Sequence, residues 1–468
     1  MPETATAGPS GGRERAALAK RAAVASLVGT AVEWYDYFIF GTASALVLGQ
    51  LFFPNDKDPI IGTLSAFAVF GVGFVARPVG GIVFGHFGDK FGRKAALVTT
   101  LMMMGISTFL IGLLPTTAQI GVWAPVLLVV LRLVQGFAVG GEWGGASLVA
   151  VEYAPPHKRG AYGSAPQIGN AVGLVLSTSI FALVSLLPDD ELLGWGWRVP
   201  FLFSAVLIAV GLFIRFRLTE TPTFRAAQKK LEEQAADQSV KERMPLAELF
   251  RRFRRPLLLT MGMRLGEAVF GYIILTIGLT FATNYTDVPR TDVLVASTVA
   301  AAAAIYTYYY FGKLSDRIGR RAVFIIGAVT GLIVTFPFFW ILQADAVVLT
   351  YVIYTVAYAI GVGAVYGVEP AFFSELFSTK VRYTGVSMAA QIPSILIGLW
   401  PLASTALLAA TDGDPWPIAL ITVGSLVIAL VCAWLAPETN RRDMDRVGEG
   451  EDEDEESGRS GEPKAVAP

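Results

Sequence analysis

A ten-residue motif occurs twice in the chain, each time between long apolar runs. The copies are Gly85-His-Phe-Gly-Asp89-Lys90-Phe-Gly92-Arg93-Lys94 and Gly312-Lys-Leu-Ser-Asp316-Arg317-Ile-Gly319-Arg320-Arg321. Both read G-x-x-x-D-[KR]-x-G-[RK]-[RK]. Glycine beside a packed charge cluster fits a very short turn between two membrane helices. The glycines let backbones approach, and the basic residues, which cannot enter lipid, fix that turn on the cytoplasmic side. Other pairs recur in register. Glu152…Arg159 and Glu375…Arg382 share one spacing, and Glu220-Thr221-Pro222 has a counterpart in Pro437-Glu438-Thr439. The offsets all lie near ~220 residues, which predicts two related halves.

A length of 468 residues would allow two or three soluble domains, but 54% hydrophobic and only 16% charged residues, with a mean hydropathy of +0.55, exclude that reading. The net charge of -1 gives no reason to invoke nucleic acid. One cysteine, Cys432, rules out an internal disulfide and a thiolate metal cluster. No metal or cofactor is expected. The N-terminus is polar and has no short apolar core with a cleavage site, so it reads as a cytoplasmic tail.

A membrane span needs about 20 apolar residues. Twelve candidates occur, at 22–52, 60–86, 95–114, 122–151, 162–187, 198–216, 257–284, 293–312, 322–342, 347–374, 383–410 and 417–436. The fold class predicted is an all-α integral membrane protein, with twelve transmembrane helices in two pseudo-symmetric six-helix bundles. The bundles occupy 22–216 and 257–436, flanked by an N-terminal tail (1–21), an inter-bundle loop (217–256) and an acidic tail (437–468). Lysine and arginine in the short loops collect on one side, at Lys90, Arg93, Lys94, Lys158, Arg159, Lys313, Arg317, Arg320, Arg321, Lys380 and Arg382. Both termini and the central loop are therefore expected in the cytoplasm. The like-charged run 449–456 predicts disorder.

Ionisable groups inside spans are costly and mark a pathway. Glu33 and Asp36 lie three residues apart on one face of the first span. Arg77 precedes Pro78 in the second. Arg132 lies about 15 Å along the fourth by helix rise, with Glu142 further on. Arg264 and Glu267 share a face of the seventh, and Glu369 lies in the tenth. One reading of these groups is fixed salt bridges between helices. The other is a proton site. Burial raises a carboxylate's pKa and a nearby guanidinium lowers it, so conformational exposure can load and unload a proton. Arginine stays charged throughout and is free to hold an anionic substrate once its carboxylate is protonated. On the cytoplasmic side, Asp89, Arg93, Asp316 and Arg320, joined by Glu152, Arg159, Glu375 and Arg382, are read as ion-pair latches that close one face and break in the other state.

The decamers resemble the loop between helices 2 and 3 of the major facilitator superfamily and its counterpart between helices 8 and 9. Several segments are similar to the metabolite:proton symporter family, which includes transporters for shikimate, α-ketoglutarate, citrate, and proline or betaine. They are Glu33-Trp-Tyr-Asp36-Tyr37-Phe, Arg77-Pro-Val-Gly-Gly, Leu131-Arg132-Leu-Val-Gln135-Gly136, Tyr153-Ala-Pro-Pro and Trp197-Arg198-Val-Pro-Phe. The resemblance covers about 30–440. In related proton-coupled sugar porters a helix 1 aspartate faces a helix 4 arginine, so the resemblance implies that Asp36 and Arg132, with Glu33 beside them, form the coupling group. It also implies that Gln167, Asn170, Tyr272 and Gln391 line the cavity, together with Tyr37, Arg77, Arg264, Glu267 and Glu369. A plain helix–helix hydrogen bond is the other role open to the amides. The second half departs from the family pattern: Gly367-Val368-Glu369-Pro370 has a carboxylate where members often have an amide, Ala268 stands where members have asparagine, and Ala390 where they have tyrosine.

The function expected is proton-coupled import of a small organic acid or zwitterion by a monomer in the plasma (inner) membrane, with substrate, protons and lipid as its partners. The alternatives are a proton-independent facilitator or efflux antiporter, and a transporter-like nutrient sensor. An enzyme is not expected. His86 and His157 both sit at loop ends, and no G-x4-G-K-[ST] nucleotide loop occurs.

Overall fold

The computed structural model describes residues 9–55, 59–91, 93–140, 143–216, 245–378, 381–440 and 442. The side chains of Asp89, Lys90, Arg93, Lys94 and Glu142, the segment Glu220-Thr221-Pro222, Lys380 and the acidic tail lie outside the described residues.

Among the described residues every regular element is helical. The spanning helices of the first half are α1 (Pro9–Ala43, continued through Ser44–Leu48 and Gly49–Phe52), α2 (Pro59–Phe91), α3 (Arg93–Leu113), α4 (Trp123–Val139), α5 (Ala165–Val184) and α6 (Arg198–Phe216). Those of the second half are α7 (Arg254–Tyr285), α8 (Arg290–Ile318), α9 (Arg320–Gln343), α10 (Val347–Leu376), α11 (Arg382–Ala410) and α12 (Trp416–Leu435). Nine of the described segments are long and apolar enough to cross a membrane, and Val98–Leu113 and Trp123–Val139 are shorter apolar helices of the same kind. Their hydrophobic side chains face both lipid and core, as in a bundle whose solvent is the bilayer.

Two boundaries differ from expectation. The second decamer is not itself a turn. The helix α8 runs through Gly312–Ile318, and only Gly319, with φ 109°, breaks it before α9 begins at Arg320. A left-handed backbone at one residue suffices because glycine has no β-carbon to clash. The first helix starts at Pro9, well ahead of residue 22, inside the segment expected to be a tail.

Close backbone contact sets the pairing of α2 with α4. A β-carbon on Gly136 would collide with the carbonyl of Gly73, and one on Gly140 with the carbonyl of Arg77. Without water to drive apolar surfaces together, membrane helices associate by such close packing. The segment Trp197-Arg198-Val-Pro-Phe ties α6 to its neighbours. Arg198 Nη1 donates to the carbonyls of Gly112 (2.9 Å) and Leu114 (2.6 Å) at the open end of α3. Tyr35 of α1 donates to the carbonyl of Pro200 at 2.6 Å.

Three of the helices that wall the centre, α1, α7 and α10, contain wide π-turns at Ser44–Leu48, Ile273–Ile277 and Val356–Val362. Such turns interrupt the regular ladder and concentrate at functional positions.

Candidate functional site: a divided central cavity

The cavity between the bundles has two chambers of about 50 Å³ each. Trp34, Tyr37, Arg264, Ala268 and Tyr272 line both. The first adds Asn170, Glu267, Tyr358 and Tyr366. The second adds Glu33, Phe74, Arg77, Ala390 and Gln391. A smaller void of about 10 Å³ holds Asp36, Arg132 and Gln135, and Tyr37 and Arg77 border it as well. Tyr37 is thus the wall common to all three spaces. Glu33 borders the second chamber and Asp36 the smaller void, although they lie three residues apart on α1.

Asp36 is 1% exposed, and neither carboxylate oxygen has a hydrogen-bond partner. Thr108 lies beside it, but that hydroxyl donates its one proton to the Met104 carbonyl at 3.0 Å. The direct ion pair expected between Asp36 and Arg132 is not formed: no nitrogen–oxygen pair between them lies within 4.0 Å. Arg132, 4% exposed, is held by other groups. Its Nε donates to the Phe70 carbonyl (3.4 Å), and its Nη1 donates to Gln135 Oε1 (3.2 Å). Gln135 Nε2 donates in turn to Thr108 at 2.7 Å. The guanidinium also lies over the rings of Phe40 (4.4 Å) and Phe70 (4.8 Å). Aromatic faces replace part of the missing counter-charge, because their negative π-clouds attract a desolvated cation.

Arg77 is stacked on Phe74 at 4.1 Å and on Tyr37 at 5.3 Å, and its Nε has no partner. Among the described residues it makes no ion pair. Arg264 is placed differently. Its Nη1 bridges Glu267 Oε2 (2.8 Å) and Glu369 Oε2 (2.9 Å), and it lies 5.1 Å from the centre of the Tyr366 ring. The predicted Arg264–Glu267 pair is present, and Glu369 joins it from α10.

The polar positions divide in two. Asn170, Tyr272 and Gln391 line the chambers. Asn170 Oδ1 accepts a hydrogen bond from Tyr358 at 3.3 Å, and Gln391 Nε2 donates to the Gly140 carbonyl at 3.4 Å. Gln167 lines neither chamber. It is fully buried, and its Nε2 donates to the Tyr366 carbonyl at 3.1 Å. That carbonyl lies four residues before Pro370, which has no N–H to offer it, so an α5 amide supplies what the α10 ladder lacks.

At the decamer end the bundles are joined by a buried network. Arg320 donates to Asp316 (2.7 Å) and forks onto both oxygens of Glu375 (3.1 Å each). Asp316 accepts the backbone N–H groups of Gly160 (2.8 Å) and Ala161 (3.0 Å) from the other half. Arg382 meets Glu152 across the bundles at 3.6 Å, and Arg159 donates to the carbonyl of Arg442 at 3.2 Å. The residues of the E-x6-R spacing therefore pair with partners elsewhere, not with each other. Sequence reasoning gave Pro437-Glu438-Thr439 no role, yet it completes this cluster. Glu438 caps the start of α9 by accepting the N–H groups of Arg320 (2.8 Å) and Arg321 (3.1 Å), and Thr439 donates to Glu375 at 2.7 Å. Across the molecule, Arg290 pairs with Asp189 at 2.8 Å and Thr298 with Thr178 at 2.7 Å, so the bundles also touch at the opposite end. No group of three or more metal-ligating side chains occurs among the described residues.

Two helical bundles around a central cavity lined by aromatic and charged side chains, tied at both ends by breakable contacts, have the architecture of a transporter of small molecules. The sequence profile of the family "Sugar (and other) transporter" matches residues 21–450. The chain belongs to that family, within the major facilitator superfamily. It is 40% identical over 436 residues to the shikimate transporter of Escherichia coli K12, covering 92% of this chain and 98% of that protein. It is 42% identical over 381 residues to the inner membrane metabolite transport protein YhjE of the same organism, covering 80% of this chain and 84% of that protein. To the E. coli K12 proline/betaine transporter it is 32% identical over 431 residues, covering 91% and 85%. The fold matches the proton:xylose symporter XylE bound to 6-bromo-6-deoxy-D-glucose, with a TM-score of 0.71 at 18% identity over 93% of this chain and 99% of that one. The protein is a multi-pass membrane transporter of metabolites, and its relatives and fold are those of transporters rather than enzymes.

Proposed function

We propose that the protein is a proton-coupled symporter importing a small organic acid or zwitterion across the inner membrane by alternating access, with both termini cytoplasmic. The observation that carries this reading is Asp36: a carboxyl group sealed in the interior with both oxygens unpaired, in a void shared with Arg132 and bordered by Arg77. An unpaired buried charge is held only at a large cost, which a proton removes. Asp36 carries the proton, and Arg132 and Glu33 set the local field. Tyr37 stands between the proton void and the substrate chambers, so movement of α1 connects them. Arg77 takes the substrate's carboxylate, because it is half-buried, borders the chamber and makes no ion pair among the described residues. The bidentate geometry of a guanidinium suits that group. Relatives named for shikimate and for proline and betaine support the substrate range.

The two bundles, 22–216 and 257–436, rock about the cavity. The cluster of Asp316, Arg320, Glu375, Glu152 and Arg382 is the latch of the cytoplasmic face. The test is uptake by proteoliposomes of labelled shikimate, dicarboxylates, citrate, proline and betaine, with and without an acid-outside gradient. Gradient-dependent accumulation of one of them supports symport, and equal uptake without a gradient replaces it with facilitated diffusion.

A further inference from the structure

The C-terminal bundle contains a second acid site that the coupling scheme above does not use. Glu369 is 0% exposed. Its Oε2 receives Arg264 at 2.9 Å, while its Oε1 is buried with no hydrogen-bond partner. The same Arg264 nitrogen already holds Glu267 at 2.8 Å. Two carboxylates therefore share one guanidinium nitrogen; Arg264 and Glu267 line the cavity, whereas Glu369, expected to line it, lies behind them and borders neither chamber. Among the described residues, the other groups around Glu369 supply no second cation. From α7 it faces Arg264 and Glu267, and from its own helix Tyr366. From α8 comes Tyr308, whose ring packs 5.8 Å from that of Tyr366. From α1 comes Trp34, 6.5 Å from the Tyr366 ring, and from α5 the neutral amide of Gln167.

We propose that Glu369 is a second proton carrier, so that the transporter moves one proton on each bundle: Asp36 in the first and Glu369 in the second. The proton adds to Oε1, the oxygen without a partner. Arg264 keeps Oε2 and Glu267, which leaves one carboxylate charge against one guanidinium within the Arg264–Glu267–Glu369 cluster. Like charges crowded in a low-dielectric site cannot both stay ionised, and one proton resolves the conflict without moving a helix. When the bundles part and Arg264 swings toward water or substrate, Glu369 loses its partner and exchanges its proton with the open side. The inference rests on the transporter reading, but not on Asp36 as the coupling group.

The test needs no substrate. Purified protein in lipid is titrated from about pH 5 to about pH 9 while the carbonyl stretch of protonated carboxyls is followed by infrared difference spectroscopy. A titrating band that shifts with heavy-carbon glutamate, persists in Asp36→Asn and disappears in Glu369→Gln supports the proposal. Absence of a glutamate band in the wild type, or a band unchanged in Glu369→Gln, overturns it. If Glu369→Gln does not yield folded protein, Glu369→Asp decides: a titrating band that moves from the glutamate label to an aspartate label supports Glu369, and a glutamate band left unchanged overturns it. A failure of the symport reading itself would appear separately, as gradient-independent uptake by the wild type.

Discussion

Arg132 is held on two sides, by the Phe70 carbonyl through Nε and by Gln135 through Nη1. A lysine has one nitrogen and cannot satisfy both while remaining over Phe40 and Phe70. Arg132→Lys should therefore lose about 1.5–3 kcal/mol of charge-assisted bonding, roughly ten- to a hundredfold in transport rate. Initial-rate uptake at saturating substrate measures it, and near-normal kinetics would make Arg132 a packing residue. At this scale the sequence was informative about which residues are polar inside the membrane. Asp36, Arg77, Arg132, Arg264, Glu267 and Glu369 are all buried or half-buried. Their partners were not legible. The aromatic cover of Arg132 comes from α1 and α2, and the Arg264–Glu369 bridge joins residues 105 apart, a pairing that no local spacing encodes. The separation of Asp36 from Arg132 likewise depends on how far α1 and α4 are driven apart by packing.

Helix pairing depends on small residues and on repairing what proline breaks. Gly136→Val places branched carbon where the Gly73 carbonyl already lies, and α2 and α4 cannot separate without disturbing Arg77 and Arg132. Overpacking of this kind costs about 1–3 kcal/mol or more. The expected result is a lowered Tm in detergent and loss of monodisperse protein, whereas an unchanged Tm would contradict the close-packing account. Gln167→Ala strands the Tyr366 carbonyl opposite Pro370 and should cost ~1–3 kcal/mol as an unsatisfied buried group. Thermal unfolding of the purified variant measures it, and a neutral result would imply that water fills the gap. Nine spans among the described residues could be read from apolar length, because the bilayer imposes that length. The π-turns of α1, α7 and α10 could not, because they arise where neighbouring helices pull on a backbone ladder. The run of α8 through its decamer was equally hidden, since Asp316 resembles a turn residue until Gly160 and Ala161 from the other half supply its contacts.

Alternating access at the level of the whole molecule requires ties that close one end and then release it. Asp316 is the central tie at the decamer end, because it binds its own bundle through Arg320 and the other through two backbone N–H groups. Asp316→Asn removes the charge and one acceptor while keeping the shape. It should weaken closure at that end by about 1–2 kcal/mol, shifting the open population roughly tenfold. Spin-label distances between the bundles report this shift, and an altered substrate affinity with unchanged distances would remove Asp316 from the latch. The repetition of the motif leads us to propose a matching tie at Asp89, which lies outside the residues whose side chains are described. The exchange of partners between Glu152 and Arg382 was not readable, because it depends on how the halves face one another.

The central claim is that a proton on Asp36 powers accumulation, and one comparison tests it directly. Wild type and Asp36→Asn are reconstituted side by side, and uptake of the transported substrate from the panel is measured under an acid-outside gradient, alongside exchange against preloaded substrate without one. The account predicts that the wild type concentrates substrate, more steeply as the external pH falls. It predicts that Asp36→Asn exchanges substrate but concentrates it far less steeply than the wild type. Undiminished gradient-driven accumulation by Asp36→Asn would contradict it.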